Sequence, residues 1–285
     1  MIIVKLQGGL GNQLFQYAAG RNLAIKNNTT LKLDIHSYQN NPDRSYGLDI
    51  FNIDEHFATD AEISNLNKAG LNKLVEKLKP FASKTTIIED NHDFNKDVLE
   101  LSGNKYLIGY WQSEKYFKSI ENLIRQEITL KDKLSENYSD MAIEIKSTNS
   151  ISLHVRRGDY MANPKFSKIF QILDLDYYKK AIDLITEQIA DPSFYVYSDD
   201  LPWAKDNLPI PHPHVFVNPD KKLKDGEELM LMSLCKHNII ANSSFSWWVA
   251  WLNQNPEKIV IAPKKWSNDN STNTFDLLPN NWIKI

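Results

Sequence analysis

The stretch His154-Val155-Arg156-Arg157-Gly158-Asp159-Tyr160 concentrates more chemistry than any other in the chain. It closes a short apolar run, Ile151–Val155, that has the pattern of a buried strand. Two adjacent guanidiniums directly after a buried strand are costly unless an anion meets them. Gly158 permits a sharp turn or a close backbone approach there. In open α/β sheets, ligands sit outside the carboxyl ends of strands. Two readings stand side by side. One is a phosphate-bearing ligand gripped by Arg156 in the bidentate manner that suits Arg better than Lys. The other is a pair of structural salt bridges. Arg157-Gly158-Asp159 also spells an adhesion tripeptide, a role that a strand end suits poorly.

Three further stretches carry candidate groups. Gly8-Gly9-Leu10-Gly11-Asn12-Gln13 follows an opening strand and precedes a helix. Gly9 and Gly11 let backbone N–H groups approach a ligand at the helix start, and Asn12 and Gln13 add neutral donors and acceptors. The spacing is neither G-x-G-x-x-G nor a P-loop, so neither a dinucleotide fingerprint nor a nucleoside-triphosphate cradle is supported. Tyr197-Ser198-Asp199-Asp200 ends a later strand, where the aspartates read first as a cap for the helix near Pro202 and Trp203. Asn242-Ser243-Ser244-Phe245-Ser246-Trp247-Trp248 opens another helix with hydroxyls suited either to a phosphate or to simple capping. Its two tryptophans read as core. No metal cluster is legible, and Asp174-Leu175-Asp176 reads as a helix cap. Gly-x-Ser-x-Gly is absent, and Cys235 falls within a helical pattern.

These groups need elements to position them. Met1–Leu6 reads as a strand, about 14–26 as a helix and Thr30–Ile35 as a second strand, which is how a Rossmann-like half begins. Lys105–Tyr110 reads as another strand, followed by Trp111-Gln112-Ser113-Glu114 and a polar helical stretch over about 114–146. Leu66, Leu71, Leu74, Val75 and Leu78 give an amphipathic helix ended by Pro80. Its lysines, Lys68 to Lys84, form a solvated face or a contact for an anionic membrane surface. The second half alternates strand-like runs at Ile151–Val155, Phe194–Ser198, Val215–Val217, His237–Ala241 and Lys258–Ile261 with helical patterns, which implies a mostly parallel sheet. The Ser/Thr/Asn-rich 146–150 segment marks a boundary between domains 1–147 and 148–285, with a ligand expected in the cleft between them.

The 285 residues suffice for two cored domains. A net charge of −3 supplies no basic field for nucleic acid. With one cysteine there is no intrachain disulfide, and a reducing compartment is compatible. Met1 leads directly into a strand pattern with no visible signal peptide, and no apolar run has the length of a membrane span. A cytoplasmic protein is therefore expected, with peripheral contact to the inner membrane left open.

Taken together, Gly8–Ala18, Gly109-Tyr110-Trp111-Gln112-Ser113-Glu114, His154–Tyr160, Tyr197–Asp200 and Ala241–Trp248 resemble the α-1,2-fucosyltransferases of glycosyltransferase family 11, in the same order and over nearly the whole chain. The resemblance implies an α/β fold of the GT-B type, two Rossmann-like domains facing a central cleft. The first domain would serve the acceptor and the second GDP-fucose. It implies inverting transfer of L-fucose from GDP-β-L-fucose to a galactose 2-hydroxyl of an oligosaccharide or lipid-linked glycan, with no cofactor and no metal. By position Arg156 would hold the diphosphate with His154 beside it, and Ser244 and Phe245 would hold the donor. Glu228, or its neighbour Glu227, would read guanine. Gly9, Gly11, Asn12, Asp159, Asp199, Asn242 and Ser243 complete the expected donor contacts. Asn12 is expected to orient the acceptor. Asp34 and His36, after the second strand, are candidate bases, while an oxocarbenium-like route with the leaving phosphate as proton acceptor stays equally open. The alternatives are another acceptor or GDP-sugar on the same fold, or a binding protein without turnover.

Overall fold

The computed structural model describes the chain except residues 68–74, 77, 91, 92, 135, 159, 160, 162–170, 218, 219, 221, 222 and 269–275. It divides into two compact units, Met1–Thr129 with Phe275–Leu277, and Leu130–Thr274 with Leu278–Ile285. The division falls before the Ser/Thr/Asn-rich segment at 146–150. The reason is that the helix preceding that segment packs on the first strand of the second unit. The short Phe275–Leu277 excursion is tied into the first unit at Asp276. Its carbonyl accepts from Ser113 Oγ at 2.6 Å and its carboxylate from the Phe94 N–H at 3.2 Å, with Lys115 as ion-pair partner.

The first unit is built on four parallel strands: β1 (Ile2–Lys5), β2 (Leu31–Asp34), β3 (Thr86–Ile88) and β4 (Lys105–Ile108), in the order β2-β1-β4-β3. Helix α1 (Leu10–Lys26) begins four residues before the start read from apolar periodicity, because Leu10 and Gly11 are buried as the first turn. Most of α1 is inaccessible, so its apolar residues do not form one stripe. Gly20 lets it lie close to the sheet, since a Cβ there would come within 2.9 Å of Leu31 Cδ1 and 3.2 Å of Val4 Cβ. Helices α2 (Asp60–Leu66) and α3 (Glu121–Glu127) follow. A capping box formed by Thr59 and Glu62 starts α2. The polar stretch read as one helix over about 114–146 is broken into 3-10 turns, α3 and, in the second unit, α4 (Glu136–Ser147). Much of the amphipathic, lysine-rich helix expected after Leu66 lies outside the described residues.

The second unit carries six parallel strands: β5 (Asn149–Val155), β6 (Pro192–Ser198), β7 (His214–Phe216), β8 (His237–Ile239), β9 (Val260–Ala262) and β10 (Ile283–Lys284). Their order is β10-β9-β8-β5-β6-β7. Helices α5 (Leu175–Thr186), α6 (Leu201–Asn207), α7 (Asp225–Ser233) and α8 (Ser244–Leu252) connect them. Along β5 the period of two puts Ile151, Leu153 and Val155 on one face. That face joins Tyr178, Ala181, Ile182 and Ile185 of α5 in the core. Ser150, Ser152 and His154 share the other face and are also buried. Helix α8 is apolar nearly all round. Trp247 and Trp248 are fully buried, and Trp247 packs 5.6 Å from the Trp282 ring, so the tryptophans are core as expected. The molecule is therefore an α/β fold of parallel sheets. Among the described residues, no helix is long and apolar enough to cross a membrane.

Candidate active site

Strand order changes direction in the second unit between β5 and β8, and this switch point is where an open parallel sheet leaves a crevice at its carboxyl edge. Two of the four sequence stretches emerge there. Arg156 follows β5, and Asn242 to Phe245 follow β8 and open α8. The ring of His154, the last residue but one of β5, lies 5.8 Å from that of Phe245.

Arg156 is held from behind. Its guanidinium lies 3.3 Å from Asp199 Oδ2, at the end of neighbouring β6. Asp199 Oδ1 also accepts the Arg157 N–H at 2.8 Å, and the carboxylate takes a further bond from the Gly158 N–H. Burial opposes ionisation of Asp199, but the Arg156 charge and the two N–H groups outweigh it and hold the carboxyl below its usual range. Gly158 fits because a Cβ there would lie 3.1 Å from the Asp199 carbonyl. Asp199 is thus a brace for the arginine turn, and the cap of α6 is its neighbour Asp200, which accepts from the Trp203 N–H at 3.3 Å. Arg157 turns the other way, with Nε 3.6 Å from Asp200 and its guanidinium 4.4 Å from the centre of the Trp203 ring. Both arginines therefore make the ion pairs of the structural reading, Arg156 with Asp199 and Arg157 with Asp200, and they differ in direction.

His154 is buried, and that burial, with the Arg156 charge second, pushes its pKa far below the ordinary histidine value. The ring is neutral at working pH. Its Nδ1 has no hydrogen-bond partner among the described residues. Ser243 caps α8 by accepting from the Phe245 N–H at 3.3 Å, and Ser244 and Phe245 are partly accessible at the helix start. Asn242, expected to touch the donor, is instead fully buried. Its amide donates to the carbonyls of Gln171 and Trp266 at 2.8 Å each, which ties two loops together. Helix α7 packs against α8. On α7, Glu227 is spent on its own helix start, accepting from the Lys224 N–H at 3.0 Å, whereas Glu228 faces buried Tyr197, whose pKa is raised chiefly by burial with a smaller contribution from the Glu228 charge. Asp159 lies outside the described residues.

The first unit has its own switch point, between β1 and β4. Gln16 spans it, accepting from the Gln7 N–H at 3.0 Å and donating to the Gly109 carbonyl at 3.0 Å. Gly9 caps α1 without a side-chain bond, and a Cβ on it would meet nothing within 4 Å. Gly11 is buried in the first turn. Asn12 Oδ1 accepts from Gln112 Nε2 at 2.7 Å. A cavity of about 510 Å³ lies at the end of β3, with Ile88, Glu89, Asp93, Phe94, Trp111 and Tyr116 in its lining.

Asp34 and His36 are drawn into a network of their own. Asp34 is buried and accepts from the Tyr106 hydroxyl at 2.6 Å. His36 Nδ1 lies 2.6 Å from Asp34 Oδ1, and its Nε2 lies 2.7 Å from Asp60 Oδ1. The bond to Asp34 raises the imidazole pKa, with Asp60 adding to it. Burial works against ionisation of Asp34, yet its bonds from Tyr106 and His36 leave its pKa lowered. A ring engaged at both nitrogens by carboxylates has no lone pair to offer a hydroxyl. The pair holds the end of β2 rather than standing ready as a base.

Among the described residues, no three His, Cys, Asp or Glu side chains are grouped to hold a metal ion. Glu89, which binds the turn after β4, went unseen in the sequence because it lies twenty residues from that turn and no motif contains it.

Comparison with known proteins agrees with this architecture. An alpha-1,2-colitosyltransferase from Escherichia coli is 33% identical over 291 residues, covering 100% of this chain and 99% of that protein. A galactoside alpha-(1,2)-fucosyltransferase 1 from Rattus norvegicus is 30% identical over 154 residues, covering 51% of this chain and 41% of that protein. A FUT1 mutant from Arabidopsis thaliana, solved in complex with GDP, shares the fold with a TM-score of 0.54 at 12% identity, covering 95% of this chain and 71% of that one. The sequence profile of glycosyl transferase family 11 matches residues 1–285. The chain belongs to glycosyl transferase family 11, and it is a glycosyltransferase.

Proposed function

We propose that the chain transfers L-fucose from GDP-β-L-fucose to the 2-hydroxyl of a terminal galactose, with inversion at the anomeric carbon. The observation that carries the donor half is Arg156 at the β5–β8 switch point, braced by Asp199 beside neutral His154. Breaking the anomeric C1–O bond leaves negative charge on the departing diphosphate. A fixed guanidinium stabilises that charge more in the transition state than in the ground state. Ser244 and Phe245 at the start of α8 offer a hydroxyl and helix N–H groups to the same anion. Glu228, with Glu227 engaged elsewhere, accepts from the N1–H and exocyclic amine of guanine.

The acceptor half rests on the first unit. Asn12, with its oxygen taken by Gln112, offers its amide N–H to an acceptor oxygen. The open space at Gly9 admits a ligand against the backbone. The cavity lined by Phe94, Asp93 and Tyr116 presents the mixture of rings and carboxylate that suits a sugar. With Asp34 and His36 committed to each other, the 2-hydroxyl proton passes to an oxygen of the leaving phosphate as the new C1–O bond forms.

The full-length likeness to a colitosyltransferase favours a second donor reading. Colitose is fucose without its 3-hydroxyl, so the two donors differ by one polar group. The test is GDP release from GDP-fucose, GDP-colitose and GDP-mannose against a panel of galactosides. Faster turnover of GDP-fucose, with an α-1,2-linked product, is expected. Preference for GDP-colitose would transfer the assignment to that sugar. Tight GDP binding with no release on any acceptor would leave a binding protein.

A further inference from the structure

The Gly109-Tyr110-Trp111-Gln112 turn is held in an uncommon conformation by one side chain. Trp111 has φ of 57°, the left-handed region that a bulky residue rarely enters. Glu89, immediately after β3, supplies the compensation. Its Oε2 accepts the Tyr110 N–H at 2.6 Å and its Oε1 the Trp111 N–H at 3.0 Å. The Glu89 N–H itself donates to the Ile108 carbonyl at 2.9 Å, so the carboxylate is anchored to the strand from which the turn departs. Gly109 makes the approach possible, because a Cβ there would sit 2.4 Å from Glu89 Cβ and 2.8 Å from Oε2. The residue after the strained tryptophan is Gln112, whose amide donates to Asn12 Oδ1 at 2.7 Å.

We propose that Glu89 is a positioning residue for transfer: by clamping the Trp111 turn it aims Gln112 at Asn12, and so fixes which way the Asn12 amide faces. The inference rests on the acceptor role given to Asn12 above. Two facts separate it from mere closure of a sheet edge. The carboxylate binds the two N–H groups at the strained position itself, and the turn delivers a side chain to the one Asn12 atom that decides its amide orientation. If the Gln112 bond were lost, the amide would be free to turn over and present oxygen where nitrogen now lies.

A double-mutant cycle tests this on the full chain, with Glu89→Gln, Gln112→Ala and both together. Glutamine keeps the shape but offers one acceptor oxygen to two N–H groups. Each single change is expected to lower kcat/KM for the acceptor ten- to a hundredfold while GDP affinity, measured by calorimetry, stays within twofold. The double variant should be no more than threefold worse than the poorer single, because both act through Asn12. Glu89→Asp, which keeps the charge, should recover part of the loss. Multiplying losses, unchanged rates in Glu89→Gln or a matching fall in GDP affinity would overturn the proposal. Amide hydrogen exchange supplies a readout independent of transfer. Glu89→Gln should speed exchange in 109–112 and at the start of α1, whereas Gln112→Ala should speed it only at the start of α1. Wild-type protein that transfers no sugar would overturn the function, while the exchange pattern would still decide the clamp: unchanged exchange at 109–112 in Glu89→Gln overturns it.

Discussion

Arg156 and Arg157 are neighbours in sequence with opposite fates, and substituting each by lysine should separate them. Arg156→Lys replaces a planar fork by a point charge at the proposed diphosphate seat. A loss of roughly 3 kcal/mol of transition-state stabilisation is expected, read as a fall in kcat/KM, as for other lost electrostatic stabilisers. Arg157→Lys should keep most activity, because its partners are Asp200 and the Trp203 ring. Near-normal rates for Arg156→Lys would remove the donor assignment. The glutamate pair divides in the same way. Glu228→Gln should weaken GDP and narrow its advantage over ADP in calorimetric titration. Glu227→Gln should leave both unchanged, since a glutamine also completes the capping box. If Glu227 is the sensitive position, guanine is read one residue earlier. For His36, held between two carboxylates, His36→Gln should retain kcat within tenfold. A kcat fallen a thousandfold would restore it as a base.

At the scale of elements, the start of α1 offers a clean separation of folding from binding. Gly9 has open space where a side chain would go and a backbone at φ −76° that alanine adopts readily. Gly9→Ala should therefore leave the melting temperature within a degree or two. It should still raise the acceptor or donor KM if a ligand approaches the backbone there. Gly8, one residue earlier, is the contrary case. It has φ of 83°, and a Cβ would lie 2.5 Å from Asn12 Nδ2, so Gly8→Ala should destabilise the unit and disturb Asn12 together. Thermal melts beside initial rates distinguish the two. Equal destabilisation by both changes would mean that the space at Gly9 serves packing alone.

For the molecule as a whole, histidine burial gives stability a definite pH course. His154 has a folded pKa far below its unfolded value near 6.5. Below that value the unfolded chain takes up a proton that the folded chain refuses. His154 therefore leaves stability intact above about pH 6.5 and lowers it as the pH falls. The slope from one such group approaches about 1.4 kcal/mol per pH unit. His36 acts in the opposite sense. Its raised pKa stabilises the fold below its unfolded value, and that contribution is lost as the pH rises through the folded one. Because His36 is half exposed to solvent, the His154 course should dominate urea midpoints between pH 7 and 5. A His154→Gln variant should show a flatter dependence there. An unchanged slope would mean that the His154 ring accepts a proton in the folded state. On the proposal that Arg156 neutralises the diphosphate, transfer should also survive excess EDTA. Loss of activity on chelation, restored by magnesium or manganese, would show that a metal shares that task.

Local signals carried much of this. The period-two burial of Ile151, Leu153 and Val155, the turn glycines and the Asp174 cap of α5 are all matters of a few neighbouring residues, and they are legible in the chain. So is the placing of Arg156 directly after β5, and of Ser244 and Asn12 in the first turns of α8 and α1. Other features depend on which strands become neighbours. β3 is only three residues long and β10 two, too short to show a period, and both exist because a sheet edge was there to pair with. The switch point of each sheet follows from strand order, which no segment contains. Asn242 and Asp199 look alike as polar residues after strands. Only packing makes one a buried tie between loops and the other the brace of Arg156. Glu89 reaches Tyr110 and Trp111 across twenty residues of sequence because β3 pairs with β4 in register. Residue chemistry was written locally; the partners of each charge were chosen by long-range pairing, since a buried carboxylate or guanidinium takes its role from whatever meets it when water is removed.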